Sequence, residues 1–489
     1  GWAFAPLSHA IGGALITPPA WSGFVVLDPK SDLDVVSGIP ITFDVDVETF
    51  ERCSMKNKTR TMRIAAVTAA TALTFAALAG CAPASSDSDK VTITWWHNGT
   101  GEPLLSFWEG VASEFEASHP NGNIEVTAYQ NEELQRTLIP NQLRTGSGLD
   151  LYQQWGAGEL AAQVNAGYVK DITADVTAEV DALGGVVAPW QYDGKTYGLP
   201  FTFGIEGFWY NKDMFAQAGI TEVPTTLDDL YAAIDKLKAA GLVPIAVGAG
   251  DGWPAAHYWY NFALKSCSPE VLQEAQVSYT FDDPCFLEAG NLLQEFIASN
   301  PFQEGFLGTS AQQGAGSSAG MLATGNAAME LMGHWNPGVM GGILQEETGD
   351  AAATPPEFLG WFNFPGIDGA KGDPTAALGG GDGFSCSAWA PPECIELLKY
   401  ISSVDVQTRF AEQGAGIPVT PGAEAGLADV NLKQVLAGLQ ASSYVQLWLD
   451  TAYGPTVGGA MNEGIVNLFG GAGSPEDIVK GMKDAAATL

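Results

Sequence analysis

A secretory signal lies inside this chain rather than at its start, and it limits the foldable part to the residues that follow it. The segment opens at Met55 with four basic side chains, continues with an apolar run over residues 64–77, and ends at Cys81. A basic region, a short apolar run and small residues before a cleavage point are typical of a secretory signal. The run is too short and too rich in Ala and Thr for a membrane span. We therefore expect the residues after Cys81 to fold outside the cytoplasm.

The end of this signal, Leu78-Ala79-Gly80-Cys81, resembles a bacterial lipobox, in which the Cys becomes the lipidated first residue of the mature protein. The alternative is a plain signal peptide with a chance Cys. We expect residues 55–80 to be a lipoprotein signal peptide and residues 81–89 to be a polar tether. Residues 1–54 are expected to be an upstream extension that is absent from the mature protein.

The charge of the chain excludes one class of partner. Asp and Glu number 56 against 21 Lys and Arg, which gives a net charge of −35. Such a surface repels nucleic acid and anionic lipid headgroups. We expect a ligand that is neutral or cationic, and no nucleic-acid partner.

Four cysteines remain once Cys53 and Cys81 are set aside, and they form two local pairs. Cys267 precedes Cys285, and Cys386 precedes Cys394. Disulfides are plausible in an exported protein, although pairings such as Cys267 with Cys386 stay open at this level. No Cys-x-x-Cys spacing occurs and the few His residues are scattered, so no metal site is expected.

Hydrophobic patterning predicts a strand–helix–strand unit at the start of the mature chain. Residues 91–95 alternate as a strand does, Pro103 opens a helix with apolar residues one turn apart, and residues 124–128 form a second strand. This order implies parallel strands. A second α/β series begins near Ile205, and the length suits two lobes.

Capping and turn residues place the elements that follow. We expect Asn131 and Thr226 to cap helices, and Asp193-Gly194 to turn a hairpin. Further strands are predicted at residues 149–153, 207–210, 243–247, 327–331 and 358–364. Further helices are predicted at residues 158–165, 213–218, 254–264, 286–298 and 319–324.

Two motif fragments do not support catalysis. Gly194-Lys195-Thr196 looks like the end of a phosphate-binding loop, but Pro189 stands where the first Gly would be required. The segment 316–320 fits a nucleophile-elbow pattern, but no apolar strand precedes it, and a flexible loop at a helix start is the better interpretation. No motif in the sequence indicates a catalytic dyad. We therefore expect a protein that is not an enzyme and carries no cofactor.

Aromatic side chains mixed with amides and carboxylates recur along the chain, mostly at predicted strand ends. Examples are Trp95-Trp96-His97-Asn98, Gln153-Gln154-Trp155, Trp253 with His257-Tyr258, His334-Trp335 and Trp448 with Asp450 and Tyr453. In open α/β sheets, ligands bind outside the carboxyl ends of strands. Pyranose rings have apolar faces that match aromatic platforms and hydroxyls that match Asp, Asn and His. Core packing explains any single Trp, but the set favours carbohydrate.

These segments resemble the extracellular solute-binding proteins of sugar ABC transporters, the maltose-binding-like family. The resemblance covers nearly all of residues 90–489 and is carried by 93–98, 150–156, 192–213, 224–230 and 327–335. Segments 252–259 and 379–384 are similar to actinobacterial xylobiose-binding lipoproteins.

The resemblance implies an α/β type II periplasmic-binding-protein-like fold, with a ligand cleft between two lobes joined by hinge strands. By analogy, lobe 1 would comprise residues 90–202 and 383–440, and lobe 2 would comprise 203–382 and 441–489. It implies a monomer that is lipid-anchored to the outer face of the cell membrane, takes up a neutral oligosaccharide such as xylobiose and delivers it to the membrane permease. The alternative functions are those of a secreted glycoside hydrolase and of a protein that binds a non-sugar solute such as a peptide or polyamine.

Within that cleft we expect two kinds of contact. Aromatic platforms are expected at Trp155, Trp253, Trp335 and Trp448. Hydrogen bonds to hydroxyls are expected from His97, Asn98, Glu206, Asp382 and Asp450. His257, Tyr258 and Tyr453 complete the predicted ligand-binding set.

Overall fold

The computed structural model describes residues 90–489. The predicted extension, the signal peptide, the lipidation of Cys81 and the tether lie outside the described residues. The strands are β1 (Val91–His97), β2 (Gly122–Ala128), β3 (Leu151–Gln154), β4 (Gln191–Tyr192), β5 (Lys195–Thr196), β6 (Leu199–Ile205), β7 (Gly207–Asn211), β8 (Met329–Met332), β9 (Leu359–Asn363), β10 (Ala377–Cys386) and β11 (Val445–Leu447).

Helices connect and cover these strands. The helices of the first half are α1 (Leu104–Ser118), α2 (Asn131–Glu133), α3 (Ile139–Thr145), α4 (Ala157–Asn165), α5 (Thr177–Leu183), α6 (Lys212–Gln217), α7 (Leu227–Ala239), α8 (Trp253–Ser266) and α9 (Pro269–Ser278). Those of the second half are α10 (Pro284–Ala298), α11 (Ser318–Ala323), α12 (Asn336–Thr348), α13 (Glu393–Ile401), α14 (Val404–Glu412), α15 (Val430–Ala441), α16 (Leu449–Ala452), α17 (Gly454–Phe469) and α18 (Pro475–Ala486). A π-helical segment, Leu134–Leu138, joins α2 to α3, and a 3₁₀ segment, Gly184–Trp190, follows α5.

The predicted strand–helix–strand unit is confirmed. β1 pairs in parallel with β2 and with β3, and α1 crosses between β1 and β2. The helix buries Phe107, Trp108 and Phe115. Trp108 meets Phe384 of β10 with ring centroids 5.4 Å apart, so an aromatic cluster fixes the helix to the sheet.

Two strands, β6 and β10, link separate parts of the structure. Near its carboxyl end β10 pairs antiparallel with β3, and at its start it pairs in parallel with β11. β6 runs antiparallel beside β10. A second sheet, in the order β8-β7-β9, begins directly after β6. The predicted first crossing, residues 199–203, therefore lies within β6, while the lobe boundaries stay a prediction.

Separate hydrophobic cores surround the two sheets. One gathers Trp95, Trp108 and Phe201 with residues of α13 and α14. Another gathers Phe208, Trp259 and Phe296 with residues of α17 and α18. Each core buries one face of a sheet under helices, which is the layered arrangement of α/β proteins.

Several local predictions are confirmed and others need correction. Thr226 caps α7 in a full capping box with Asp229, and positive φ angles at Asp193 and Gly194 turn the β4–β5 hairpin. Asn131 does not cap a helix: Gln130 does, and its side chain accepts from the amides of the second and third residues that follow.

The predicted strand at residues 243–247 is wrong. Only isolated bridges at Ile245 occur there, because Pro244 supplies no amide hydrogen to a ladder. Among the elements without a counterpart in the sequence predictions are helices α5, α9 and α12 and strands β10 and β11. The disulfides are Cys267–Cys285 and Cys386–Cys394, with Cα atoms 5.1 and 6.2 Å apart, which decides between the pairings that the sequence left open.

Candidate ligand-binding cleft

A cavity of about 780 Å³ collects most of the residues that the sequence singled out. Its volume is within the range of small-molecule sites. Eight of the predicted residues line it: Asn98, Trp155, Trp253, His257, Trp335, Asp382, Trp448 and Asp450. Their roles in binding stay a prediction.

The ends of strands bring these side chains together. Asn98 follows β1, Trp155 follows β3 and Trp448 follows β11, while Asp382 lies within β10. Trp253 is the first residue of α8, and Trp335 directly precedes α12. Residues far apart in the sequence therefore meet where their strands end, as expected of α/β binding sites.

One wall of the cavity is aromatic. The ring centroids of Trp253 and Trp335 are 6.2 Å apart and those of Trp335 and Trp448 are 5.9 Å apart, both edge to face. The imidazole of His257 stacks on Trp448 at 4.9 Å with an interplanar angle of 4°. Gly380 of β10 allows this placement, since a Cβ there would collide with the Trp448 indole. One face of Trp448 is therefore occupied by His257, and only 7% of the residue is exposed.

Among the carboxylates that line the cavity, Asp450 has its negative charge most fully balanced by an ion pair and hydrogen bonds. Its Oδ2 accepts from Arg136 Nη2 at 2.6 Å, and its Oδ1 accepts from the Thr451 amide at 2.8 Å. Nearby, Gln135 donates to buried Glu159 at 2.7 Å. Burial raises the pKa of Glu159 to about 7, with Arg136 opposing the rise.

Asp382 is half-buried on β10 at the cavity. Burial raises the pKa of this carboxyl group to about 6, and Gln153 opposes the rise. No ion pair is found for Asp382 among residues 90–489. A carboxylate in this state can accept hydrogen bonds from a hydroxyl-bearing ligand.

The polar side chains of the lining are mainly carboxylates and amides, and no Lys or Arg lines the cavity among the described residues. Carboxylates come from Glu102, Glu346, Asp382 and Asp450, and amides come from Asn98, Asn131, Gln135, Gln312, Gln313 and Gln345. An anionic solute would meet repulsion with no lining cation to offset it. The cavity therefore favours a neutral or cationic ligand rich in hydrogen-bonding groups.

The structure places four of the twelve predicted residues away from the cavity surface. His97 is buried behind it and its Nδ1 accepts from the amide of Gly99 at 3.1 Å. Tyr258 and Tyr453 are core residues of α8 and of the turn before α17, packed on Phe302 and Phe281. Glu206 is fully buried beneath His257. Direct contact with a ligand is therefore not supported for these four.

Some lining residues had no sequence signal. The loop from Gly99 to Leu105 and one face of α12 form much of the cavity, as do Gln312 and Gln313 before α11. The segment 316–320 is a loop and helix start, as interpreted from the sequence: Ser317 caps α11. These walls depend on tertiary packing between distant segments, which short sequence patterns do not encode.

No group of three or more His, Cys, Asp or Glu side chains within residues 90–489 could hold a metal ion. None of the helices in that same range combines the length and apolar character that a membrane crossing requires.

Comparison with known proteins identifies the family of the chain. Residues 98–408, more than half of the chain, match the family of bacterial extracellular solute-binding proteins. An uncharacterized ABC transporter extracellular-binding protein of Pyrococcus horikoshii is 31% identical over 169 residues, which cover 34% of this chain and 39% of that protein. The chain therefore matches only about two fifths of the length of that relative.

Solved structures align over a larger share. A chain from a study of xylan utilization by the thermophilic bacterium Caldanaerobius polysaccharolyticus has a TM-score of 0.73 at 24% identity, covering 81% of this chain and 99% of its own. A chitin oligosaccharide binding protein has a TM-score of 0.74 at 23% identity, covering 82% and 99%. These likenesses confirm the predicted two-lobed α/β fold of type II binding proteins.

Proposed function

The chain belongs to the bacterial extracellular solute-binding protein family, and we propose that it binds a neutral oligosaccharide for an ABC importer. The observation that carries this proposal is the cavity itself. Four Trp side chains and a set of amides and carboxylates line one space that holds no Lys or Arg among the described residues. Apolar ring faces and hydroxyl-bonding groups together suit pyranose rings.

The preferred ligand is xylobiose or a short xylo-oligosaccharide. The resemblance of segments 252–259 and 379–384 to xylobiose-binding proteins supports this choice, and so does the likeness to the chain from the xylan-utilization study. The chitin oligosaccharide binding protein, equally similar in fold, makes chitobiose the natural competitor in any test.

Binding would act through closure of the two lobes. β6 and β10 lie side by side and connect the sheets, so bending within them would open and close the cleft. A ligand that contacts both walls biases the closed state by its differential affinity. The closed protein would then deliver the sugar to a membrane permease, held nearby as a monomer by the lipid on Cys81.

Intrinsic Trp fluorescence of the purified protein tests the proposal. We expect a saturable change with xylobiose, and a weaker one or none with maltose, cellobiose and chitobiose. Glucuronic acid serves as the anionic control and should not bind. Assay of reducing ends in the same samples separates binding from hydrolysis. Silence with all four disaccharides, together with saturation by a polyamine such as spermidine, would replace the sugar assignment with a cationic solute.

A further inference from the structure

Glu206 lies at the junction between β6 and β7, one residue after Ile205 and one before Gly207. Its carboxylate is fully buried, and it faces α8. One oxygen accepts from His257 Nδ1 at 2.6 Å, and the other accepts from Asn261 Nδ2 at 2.7 Å. The two donors are one helical turn apart, so a single carboxylate holds that face of α8 against the end of β6.

This hydrogen bond leaves one ring nitrogen of His257 for the cavity. His257 lines the cavity and stacks on Trp448. Within residues 90–489 no hydrogen-bond partner is found for its Nε2. That nitrogen is also not among the polar atoms that are shielded from solvent and lack a partner. The tautomer of a His is set by the hydrogen bond that its other nitrogen makes. Because a carboxylate oxygen can only accept a hydrogen bond, the ring proton must be on Nδ1.

We propose that Glu206 is a positioning residue that fixes His257 in the Nδ1–H tautomer, so that Nε2 presents a hydrogen-bond acceptor to the ligand. The site then selects a ligand that donates a hydroxyl hydrogen at this point. Glu206 acts without touching the ligand, because the stack with Trp448 holds the ring plane and the carboxylate fixes the proton. The identity of the ligand in this inference rests on the proposed function, whereas the protonation of the His257 ring does not.

Proton placement is measured in the ligand-free protein by ¹H–¹⁵N multiple-bond correlation of ¹⁵N-labelled His at pH 8. The chain has five His residues, and the signals of His257 are those lost in His257→Gln. We expect a protonated Nδ1 and a bare Nε2. A proton on Nε2, or on both nitrogens, would overturn the proposal without any variant of Glu206.

Variants then connect the tautomer to affinity. Glu206→Leu removes the acceptor, so we expect the proton to move to Nε2 and the affinity for xylobiose to fall about tenfold. Glu206→Gln keeps an acceptor oxygen, and the unpaired Oδ1 of Asn261 can accept from its amide group. This conservative variant should keep the tautomer and an affinity within about threefold of wild type.

A second buried carboxylate provides the control. Glu330 on β8 accepts from Asn336 at 2.7 Å and does not contact His257. Glu330→Gln should leave the His257 tautomer unchanged. Weaker binding by Glu206→Leu with the Nδ1–H tautomer retained would show a structural role only and reject the positioning role. If no disaccharide binds, the proposed function fails, while the ring measurement still decides the role of Glu206.

Discussion

Arg136 and Asp450 are 314 positions apart in the chain, yet the guanidinium Nη2 lies 2.6 Å from the carboxylate Oδ2. Asp450 is 7% exposed and Arg136 is 21% exposed. The pair joins the π-helical turn after α2 to the short helix α16, and Asp450 also lines the cavity. One contact therefore couples the stability of the fold to the shape of the site.

Loss of charge at Asp450 should lower the stability of the fold and disturb the shape of the site. We expect Asp450→Asn to lower the free energy of unfolding by about 2 kcal/mol, below the roughly 3–5 kcal/mol of a fully buried pair because the amide oxygen can still accept from Arg136. Asp405→Asn is the matched control, because Asp405 pairs with Arg409 at an exposed site and should lose under about 0.5 kcal/mol. Urea unfolding measures both, and equal losses would contradict the assigned role of Asp450.

Trp335 offers the cleanest test of an aromatic platform. Its side chain is half-buried, whereas Trp155, Trp253 and Trp448 are more than nine-tenths buried and would lose core packing on truncation. We expect Trp335→Ala to weaken xylobiose binding at least tenfold, about 1.4 kcal/mol. Trp361, also half-buried but outside the cavity lining, is the control. Calorimetric titration that found equal affinities for the two Ala variants would remove Trp335 from the site.

The sequence could predict the part of the site that lies beside strand ends. Asn98 follows a strand with clear alternation and Trp155 follows a second predicted strand, so their location at the sheet edge required only local patterns and the rule for α/β sheets. Strand β10 was missed because four glycines weaken the strand pattern. They are explained only by tertiary contact: a Cβ at Gly381 or Gly383 would collide with backbone of β6.

His257 and Tyr258 are both predicted to contact the ligand because they belong to an aromatic and polar run, and the sequence of their helix does not separate the two. All residues of α8 are buried, so no amphipathic period indicates which side meets the cavity. His257 lines the cavity and its neighbour Tyr258 turns into the core. Glu206 shows a different limit: it lies beside the cavity, but only the fold reveals that His257 stands between it and the cavity.

The protonation of Asp382 should control affinity at mildly acidic pH. The folded-state pKa is about 6, raised by burial, so the carboxylate that we propose to accept ligand hydroxyls is lost as the pH falls through about 6. We expect xylobiose affinity to fall several-fold between pH 7.5 and pH 5. Asp382→Asn should bind more weakly at pH 7.5 and respond less to pH. A wild-type affinity that is flat over this range would exclude Asp382 as an ionised acceptor.

Glu330 should make stability depend on pH in the opposite direction from a paired carboxylate. Burial raises its folded-state pKa from 4.5 to about 8, so its contribution is present below pH 4.5 and is lost as the pH rises toward 8. Each pKa unit between folded and unfolded states is worth about 1.4 kcal/mol. We expect the free energy of unfolding of Glu330→Gln to decline less than that of wild type between pH 5 and pH 8. Because Glu159 acts in the same direction, the flattening should be partial, and parallel wild-type and variant curves would contradict it.

Gly342 allows the two walls of the cavity to meet. A Cβ at this position of α12 would collide with the carbonyl oxygen of Glu102, whereas a Cβ at Gly341 would meet Pro355 Cδ at an ordinary 3.5 Å. Both substitutions to Ala raise helix propensity by about 1 kcal/mol, so they differ only in this contact. We expect Gly341→Ala to bind xylobiose like wild type and Gly342→Ala to bind at least tenfold more weakly, because the loop before α1 can no longer approach α12. Small-angle scattering with saturating xylobiose should show compaction for Gly341→Ala and less for Gly342→Ala. Equal affinity and equal compaction would mean that closure does not require contact between α12 and the Glu102 backbone.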